Sequence, residues 1–294
     1  MEIPGAWEQI DLAGLRGVLI VIGAPDVGKS TFGQYLYRRL CAASCRAAFL
    51  DGDPGQSALG PPATMTLAMG REGEDAWPPS GNIRRRFVGA VSPVRHMLPV
   101  VVGAARLVQT AQDAAAGAAA SAGAEIVVYD TTGLVNPVQG GPALKLAKVD
   151  LLRPTVVFGI QRDRELEPVL GPLRHSRVRV VELRPSPAVQ PRDLLTRQAH
   201  RASQFARAFA AARPVRIDWK NLAVSPSPRF VFNQLVALED AEGFTLGLGI
   251  VVSSDPALGQ VRLLTALDSL THVHALRLGD VLVDPKTFRD QPLA

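Results

Sequence analysis

An alternation of apolar runs with helix-spaced stretches predicts an α/β protein: a parallel sheet with helices on both faces. A Gly-x-x-x-x-Gly-Lys-Ser string, set between one apolar run and one helical spacing, supports this class. A change after Pro214 to short alternating strands adds a small C-terminal β module. The predicted boundaries are 1–214 for the α/β domain, with an Arg-bearing helix at about 193–212, and 215–294 for the β module.

Gly17-Val18-Leu19-Ile20-Val21-Ile22 is a continuous apolar run, the pattern of a strand covered on both faces. Thr31 to Cys45 then carries Phe32, Leu36 and Leu40 at helical spacing. Further strands are predicted at Arg46–Leu50, Glu125–Tyr129, Thr155–Ile160 and Val178–Leu183, and helices at Val100–Ala120, Pro142–Leu152 and Leu194–Ala212. Gly70 to Arg86, with Pro78-Pro79-Ser80-Gly81-Asn82, reads as a surface excursion. In the β module, strands are predicted at Phe230–Leu238, Phe244–Val252, Val261–Thr265 and Ala275–Val283. Turns fall at Asp240-Ala241-Glu242-Gly243 and Ala257-Leu258-Gly259.

The chain has 294 residues, 47% of them apolar, enough for one large domain and an appendage. Met1 to Arg16 is mixed polar, so no secretory signal is expected, and no apolar stretch reaches spanning length, so no membrane is expected either. Cys41 and Cys45 have no His nearby and read as two small buried apolar residues, which makes a reducing, cytoplasmic compartment the default. Net charge is +5, yet residues 160–216 hold twelve Arg, no Lys and only five acids. Such a block suits a polyanionic partner or extra phosphate clamps.

Gly23-Ala24-Pro25-Asp26-Val27-Gly28-Lys29-Ser30 is a complete phosphate loop. A strand, a Gly-rich turn and a helix N-terminus aim several backbone N–H groups and the positive end of a helix dipole at one anion. Lys29 would then reach β- and γ-phosphates, and the Ser30 hydroxyl would ligate Mg²⁺. The next strand ends in Asp51-Gly52-Asp53-Pro54-Gly55-Gln56, two carboxylates at i and i+2 that face one side of an extended segment. One can hold Mg²⁺ and the other can accept a proton from an attacking hydroxyl, with Gln56 positioning the nucleophile or a water. A later strand ends in Asp130-Thr131-Thr132-Gly133, where hydroxyls and a backbone N–H stand near the γ-phosphate; Lys145 and Lys148 follow in the next helix.

Asp193 is suited to cap the helix that follows, with Leu195, Ala199, Ala202, Phe205 or Ala206, and Phe209 as its apolar stripe. Arg197 and Arg201 are four apart and share a polar ridge, where two guanidinium groups repel unless an anion lies between them. This residue set suits a kinase. It also admits a nucleotide-switched assembly ATPase acting through partners, or a kinase of small nucleosides; the basic block disfavours the latter.

Together these residues resemble the polynucleotide 5′-hydroxyl kinase family, which includes the kinase subunit of the eukaryotic pre-mRNA cleavage factor, the ribosomal-RNA processing kinase and archaeal relatives. The likeness runs through Ile3-Pro4, Trp7, the phosphate loop with Asp26-Val27 inside it, Thr31, and Asp51-x-Asp53-x-Gly55-Gln56. It continues in Gly60-Pro61-Pro62-Ala63-Thr64, Phe87-Val88-Gly89, Ser92-Pro93, His96, Thr132-Gly133, Gly140-Gly141-x-x-Leu144-Lys145 and Arg197-x-x-x-Arg201, and ends in Gly247-Leu248-Gly249-Ile250. The resemblance implies a P-loop NTPase fold and transfer of the γ-phosphate of ATP, or GTP, to the 5′-hydroxyl of an RNA or DNA end. It implies Lys29 on the β/γ oxygens, Ser30 and Asp51 on Mg²⁺, Thr31 on an inner phosphate, and Asp53 as base. Arg197 and Arg201 would stabilise charge in flight. Thr132 and Gly133 would contact nucleotide or acceptor, and Gln56, Ser92 and His96 the acceptor strand. Leu134 stands where relatives commonly carry Trp, so a stacking contact worth about 1–3 kcal/mol is not expected there. The resemblance further implies a minimal, stand-alone enzyme with no obligate protein partner.

Overall fold

The computed structural model describes residues 3–70, 76–113 and 123–293. The elements in chain order begin α1 (Gly5–Glu8), β1 (Gly17–Gly23), α2 (Lys29–Ala42), β2 (Ala47–Gly52), β3 (Thr64–Met69), β4 (Ile83–Phe87), α3 (Met97–Asp113), β5 (Ile126–Thr131), α4 (Gly141–Leu152) and β6 (Val156–Ile160). They continue with α5 (Glu167–Arg174), β7 (Arg179–Leu183), α6 (Leu194–Ala208), β8 (Arg213–Asp218), β9 (Ala223–Ser225), β10 (Gln234–Glu239), β11 (Thr245–Asp255), β12 (Gln260–Thr265), β13 (Ala275–Val283) and β14 (Asp290–Pro292). The chain divides into two compact units: Met1–Asp53, Thr66–Ile83 and Pro93–Arg192 in the first, Pro54–Met65, Arg84–Ser92 and Asp193–Ala294 in the second.

In the first unit the strands lie in the order β3-β2-β5-β1-β6-β7. The pairings β2–β5, β5–β1, β1–β6 and β6–β7 are all parallel, so these strands end at one edge. Every residue of β5 is buried, as expected of a strand covered on both faces. The α/β class read from the alternation of elements is therefore the class observed. One departure is β3, which runs antiparallel to β2 and was not expected. Of the excursion predicted over 70–86, residues 71–75 lie outside the described residues, and its end, Ile83 to Arg86, is instead strand β4. The predicted helix from Val100 begins earlier, at Met97; its continuation over 114–120 lies outside the described residues. Helix α5 was also missed, because Pro168 and Pro172 interrupt its eight residues.

The second unit carries a sheet in the order β14-β13-β10-β11-β12-β8, with β9 beside β13. Adjacent pairs along that order are antiparallel, and β13 spans the predicted Ala275–Val283. Strand β10 is buried throughout because its alternate side chains enter two cores. Leu235 and Ala237 join Phe87, Phe205 and Phe209 on one face, while Val236 and Leu238 join Trp219, Val261 and Leu276 on the other. Gly243 and Gly259, at the predicted turns, adopt φ of 78° and 69°, a region that favours glycine.

Helix α6 corrects the expected stripe. Phe205 and Phe209 are buried, but Leu195 is 73% exposed and Ala199 is exposed, whereas Arg201 is buried. The buried face is thus set by Arg201 and Phe205, not by the apolar residue at every turn.

Candidate functional site

The site of the first unit is built at the carboxyl edge of its parallel strands. Strand β1 runs into the phosphate loop at Gly23, and the loop turns into α2 through Gly28, which sits left-handed at φ 87°. No side chain caps α2, so its first-turn amides are left for an anion. A Cβ on Gly23 would stand 2.6 Å from Val27 Cγ2 and 2.7 Å from the Ile160 carbonyl, which is why glycine is required there. Asp26 holds the loop's outer side, accepting from Arg192 Nε at 3.2 Å and from the Arg192 amide at 3.1 Å. Gly133 closes the opposite side, since its Cβ position would lie 3.0 Å from Pro25. Thus Ala24, Pro25 and Val27 form the loop's body between two braces.

Lys29 is buried, and its Nζ donates to the Ala24 carbonyl at 2.7 Å, curling back over the loop. Burial lowers its pKa, opposed by the charges of Asp130, Asp53 and Asp26. Ser30 donates to the carboxylate of Asp130. Burial pushes Asp130 up to about 7, although Lys29 and that hydrogen bond pull it down. Its Oδ1 is buried and, among the described residues, has no hydrogen-bond partner. Asp51 is Asp130's neighbour in the parallel register and is 2% exposed; Asp53, half-buried, follows two residues on with its amide 3.4 Å from Asp51 Oδ1. Gly52 between them admits no side chain, because a Cβ there would stand 2.2 Å from Tyr129 Cε2.

Helix α4 supplies two lysines that the sequence reading did not place in the site. Lys145 and Lys148 are each 1% exposed. Lys145 Nζ donates to Thr131 Oγ1 at 2.7 Å and to the Thr132 carbonyl, and Thr131 Oγ1 in turn donates to the Val21 carbonyl at 2.8 Å. The turn after β5 is thereby tied to the strand that leads into the phosphate loop. Thr132 itself is buried. Asp130 was the other omission. The signal available was an acid closing a fully apolar strand, and two lysines at i and i+3 in a helix otherwise apolar on that face.

Among the predicted site residues, Gly23 to Thr31, Asp51, Asp53, His96, Thr132 and Gly133 lie in the first unit, and Gln56, Ser92, Arg197 and Arg201 in the second. His96 is half-buried at the start of α3, with Nδ1 3.1 Å from the Val94 carbonyl. Within the second unit, Gln56 Nε2 donates to the Arg197 carbonyl at 3.4 Å, and the His200 ring lies 3.1 Å from the Ser57 carbonyl, so α6 grips the 55–57 turn. Ser92 is exposed and Arg197 half-buried. Arg201 does not stand on an exposed ridge beside Arg197; it is buried and paired with Asp290 at 2.8 Å.

The basic block is also partly spent internally. Arg164, Arg174, Arg192, Arg201 and Arg213 each pair with a carboxylate, and Arg162 and Arg184 donate to backbone carbonyls; Arg177, Arg179, Arg207 and Arg216 are exposed. Among the described residues no helix is long and apolar enough to cross a membrane, and no three His, Cys, Asp or Glu gather as a metal cage. The Ser30 hydroxyl with the acids Asp51 and Asp130 is an all-oxygen set. It suits a hard divalent cation that keeps waters and shares phosphate oxygens.

This geometry suits a nucleoside phosphate. Residues 23–211 match the family described as mRNA cleavage and polyadenylation factor CLP1 P-loop. The chain is 24% identical to a polyribonucleotide 5′-hydroxyl-kinase of Pyrococcus horikoshii over 336 residues, covering 95% of this chain and 89% of that protein. A polyribonucleotide 5′-hydroxyl-kinase of Methanocaldococcus jannaschii is 25% identical over 222 residues, covering 76% and 58%. In a solved wild-type Clp1p–Pcf11p complex, one chain superposes with a TM-score of 0.67 at 11% identity, over 95% of this chain and 77% of that one, a likeness of fold. With the phosphate loop, both carboxylate-bearing strand ends and α6 all inside the matched span, the chain belongs to the CLP1 P-loop family.

Proposed function

We propose that this protein is a polynucleotide 5′-hydroxyl kinase that moves the γ-phosphoryl group of ATP or GTP to the 5′-hydroxyl of an RNA or DNA end. The observation that carries the reading is the convergence of Lys29, Ser30, Asp51, Asp53 and Asp130 at one strand edge of the first unit. The kinase names of the relatives support it.

In this reading the 5′-hydroxyl gives its proton to Asp53 as O5′ bonds to the γ-phosphorus. The bond from that phosphorus to the β–γ bridging oxygen breaks, and its electrons leave with the nucleoside diphosphate. Lys29 turns from the Ala24 carbonyl to the β/γ oxygens, and the open amides of α2 hold the phosphates. Bound Mg²⁺ would be held by Ser30, with Asp51 and Asp130 as its carboxylates, and would neutralise phosphate charge. Gln56, Ser92, His96, Thr132 and Gly133 are proposed for the acceptor, and Arg197 and Arg201 for the charge in flight. Their support is the family match, which spans them all. Cys41 and Cys45 are half-buried rather than buried as expected, and the reducing, cytoplasmic setting is proposed from cysteine usage in the sequence alone.

The test is incubation with γ-labelled ATP and a 5′-hydroxyl oligonucleotide, run with both sugars and both triphosphates. Label is expected on the 5′ end; label released only as free phosphate overturns the reading. Asp53→Asn is expected to keep nucleotide affinity and lose end-labelling.

A further inference from the structure

We infer that Lys148 is a positioning residue for the transfer reaction, its buried ammonium kept to hold the Asp53 carboxylate at the strand edge. The inference rests on the reading of Asp53 as the base.

The two lysines of α4 are unlike in their use. Lys145 spends its ammonium on Thr131 and Thr132. Lys148 Nζ is wholly buried and, among the described residues, has no hydrogen-bond partner. It lies over the Tyr129 ring, 4.9 Å from Nζ to the centroid. That ring in turn fills the space over Gly52, at the 2.2 Å approach that excludes a Cβ, and Gly52 carries Asp53 as its next residue. Lys148, Tyr129, Gly52 and Asp53 therefore form one packed line from the helix to the catalytic edge. The charged groups that act on Lys148 are Asp53 and Asp130, both attractive, with Lys145 on its own helix. The residues that α3 buries are all uncharged.

A buried ammonium without a hydrogen-bond partner opposes folding, and a Met of similar length would fill the same space without that cost. A charge retained against stability at the margin of a reaction site is the signature of a functional group. Contact with the ring explains where Lys148 sits; attraction from Asp53 explains what the charge does there.

The experiment first establishes that the parent enzyme labels a 5′-hydroxyl oligonucleotide; failure at that step concerns the kinase reading, not Lys148. Lys148→Met and Lys148→Gln are then compared with the parent in Tm, nucleotide Kd and single-turnover transfer. The Met variant is expected to melt no lower than the parent, to bind nucleotide unchanged, and to transfer about tenfold or more slowly, since small displacements of reacting groups cost up to about a hundredfold. The loss is expected in the transfer step with KM for the oligonucleotide unchanged, the split that separates positioning of Asp53 from binding of the acceptor. Parent-rate transfer by Lys148→Met overturns the inference. So does a fall in Tm that accompanies the loss in both variants, or a loss confined to KM for the oligonucleotide.

Discussion

Arg201 Nε donates to Asp290 Oδ1 at 2.8 Å, across 89 residues of chain, with side chains only 11% and 6% exposed. The pair pins α6 to the terminal strand β14 inside the second unit. Removing one partner leaves the other's charge buried, a loss of about 3–5 kcal/mol. Arg201→Ala and Asp290→Ala are each expected to lower Tm, and the double variant to lose less than the two losses added. Thermal unfolding of all three checks this. Loss of transfer in Arg201→Ala then reports on catalysis only if Asp290→Ala, equally destabilised, still transfers.

Lys29 presents the opposite balance. Its ammonium is buried and bonded to a loop carbonyl, so a Met of similar length relieves a desolvated charge. Lys29→Met is expected to melt at or above the parent temperature while transfer falls by about 10²–10³ or more, the scale of a lost transition-state donor. A calorimetric scan beside the end-labelling rate checks both halves.

Gly52 is the hinge between the two carboxylates. Its missing side chain makes room for Tyr129, and a methyl group there overlaps the ring at 2.2 Å. Gly52→Ala is expected to cost about 1–3 kcal/mol through overpacking and to slow transfer by shifting Asp53. Tyr129→Phe leaves the ring in place and is not expected to restore the variant. Urea unfolding midpoints and labelling rates check the pair.

Lys148 makes stability depend on pH in a stated direction. Burial, outweighing the attraction of Asp53 and Asp130, brings its pKa from 10.5 down to about 7. A base with a lowered folded pKa binds fewer protons than the unfolded chain between those values, so its penalty on folding is full below pH 7, eases as pH rises from 7 toward 10.5, and is absent above. The Tm advantage of Lys148→Met over the parent is therefore expected to be largest below pH 7 and to shrink toward pH 10. Thermal scans across that range check it.

The sequence by itself determined the phosphate loop, the Asp51-x-Asp53 strand end and the alternation of strands and helices. Each is written in contiguous residues whose spacing dictates backbone geometry, and β13 even keeps its predicted limits. The tertiary structure alone decided which distant groups meet. It set Asp130 against Ser30, buried Lys145 and Lys148 under the turn after β5, turned Arg201 inward to Asp290, and made β3 antiparallel. None of these is periodic. Each depends on which strand neighbours which, and on whether a charged side chain finds its partner across the fold or is held in the interior without one, and residue spacing along the chain carries no record of either.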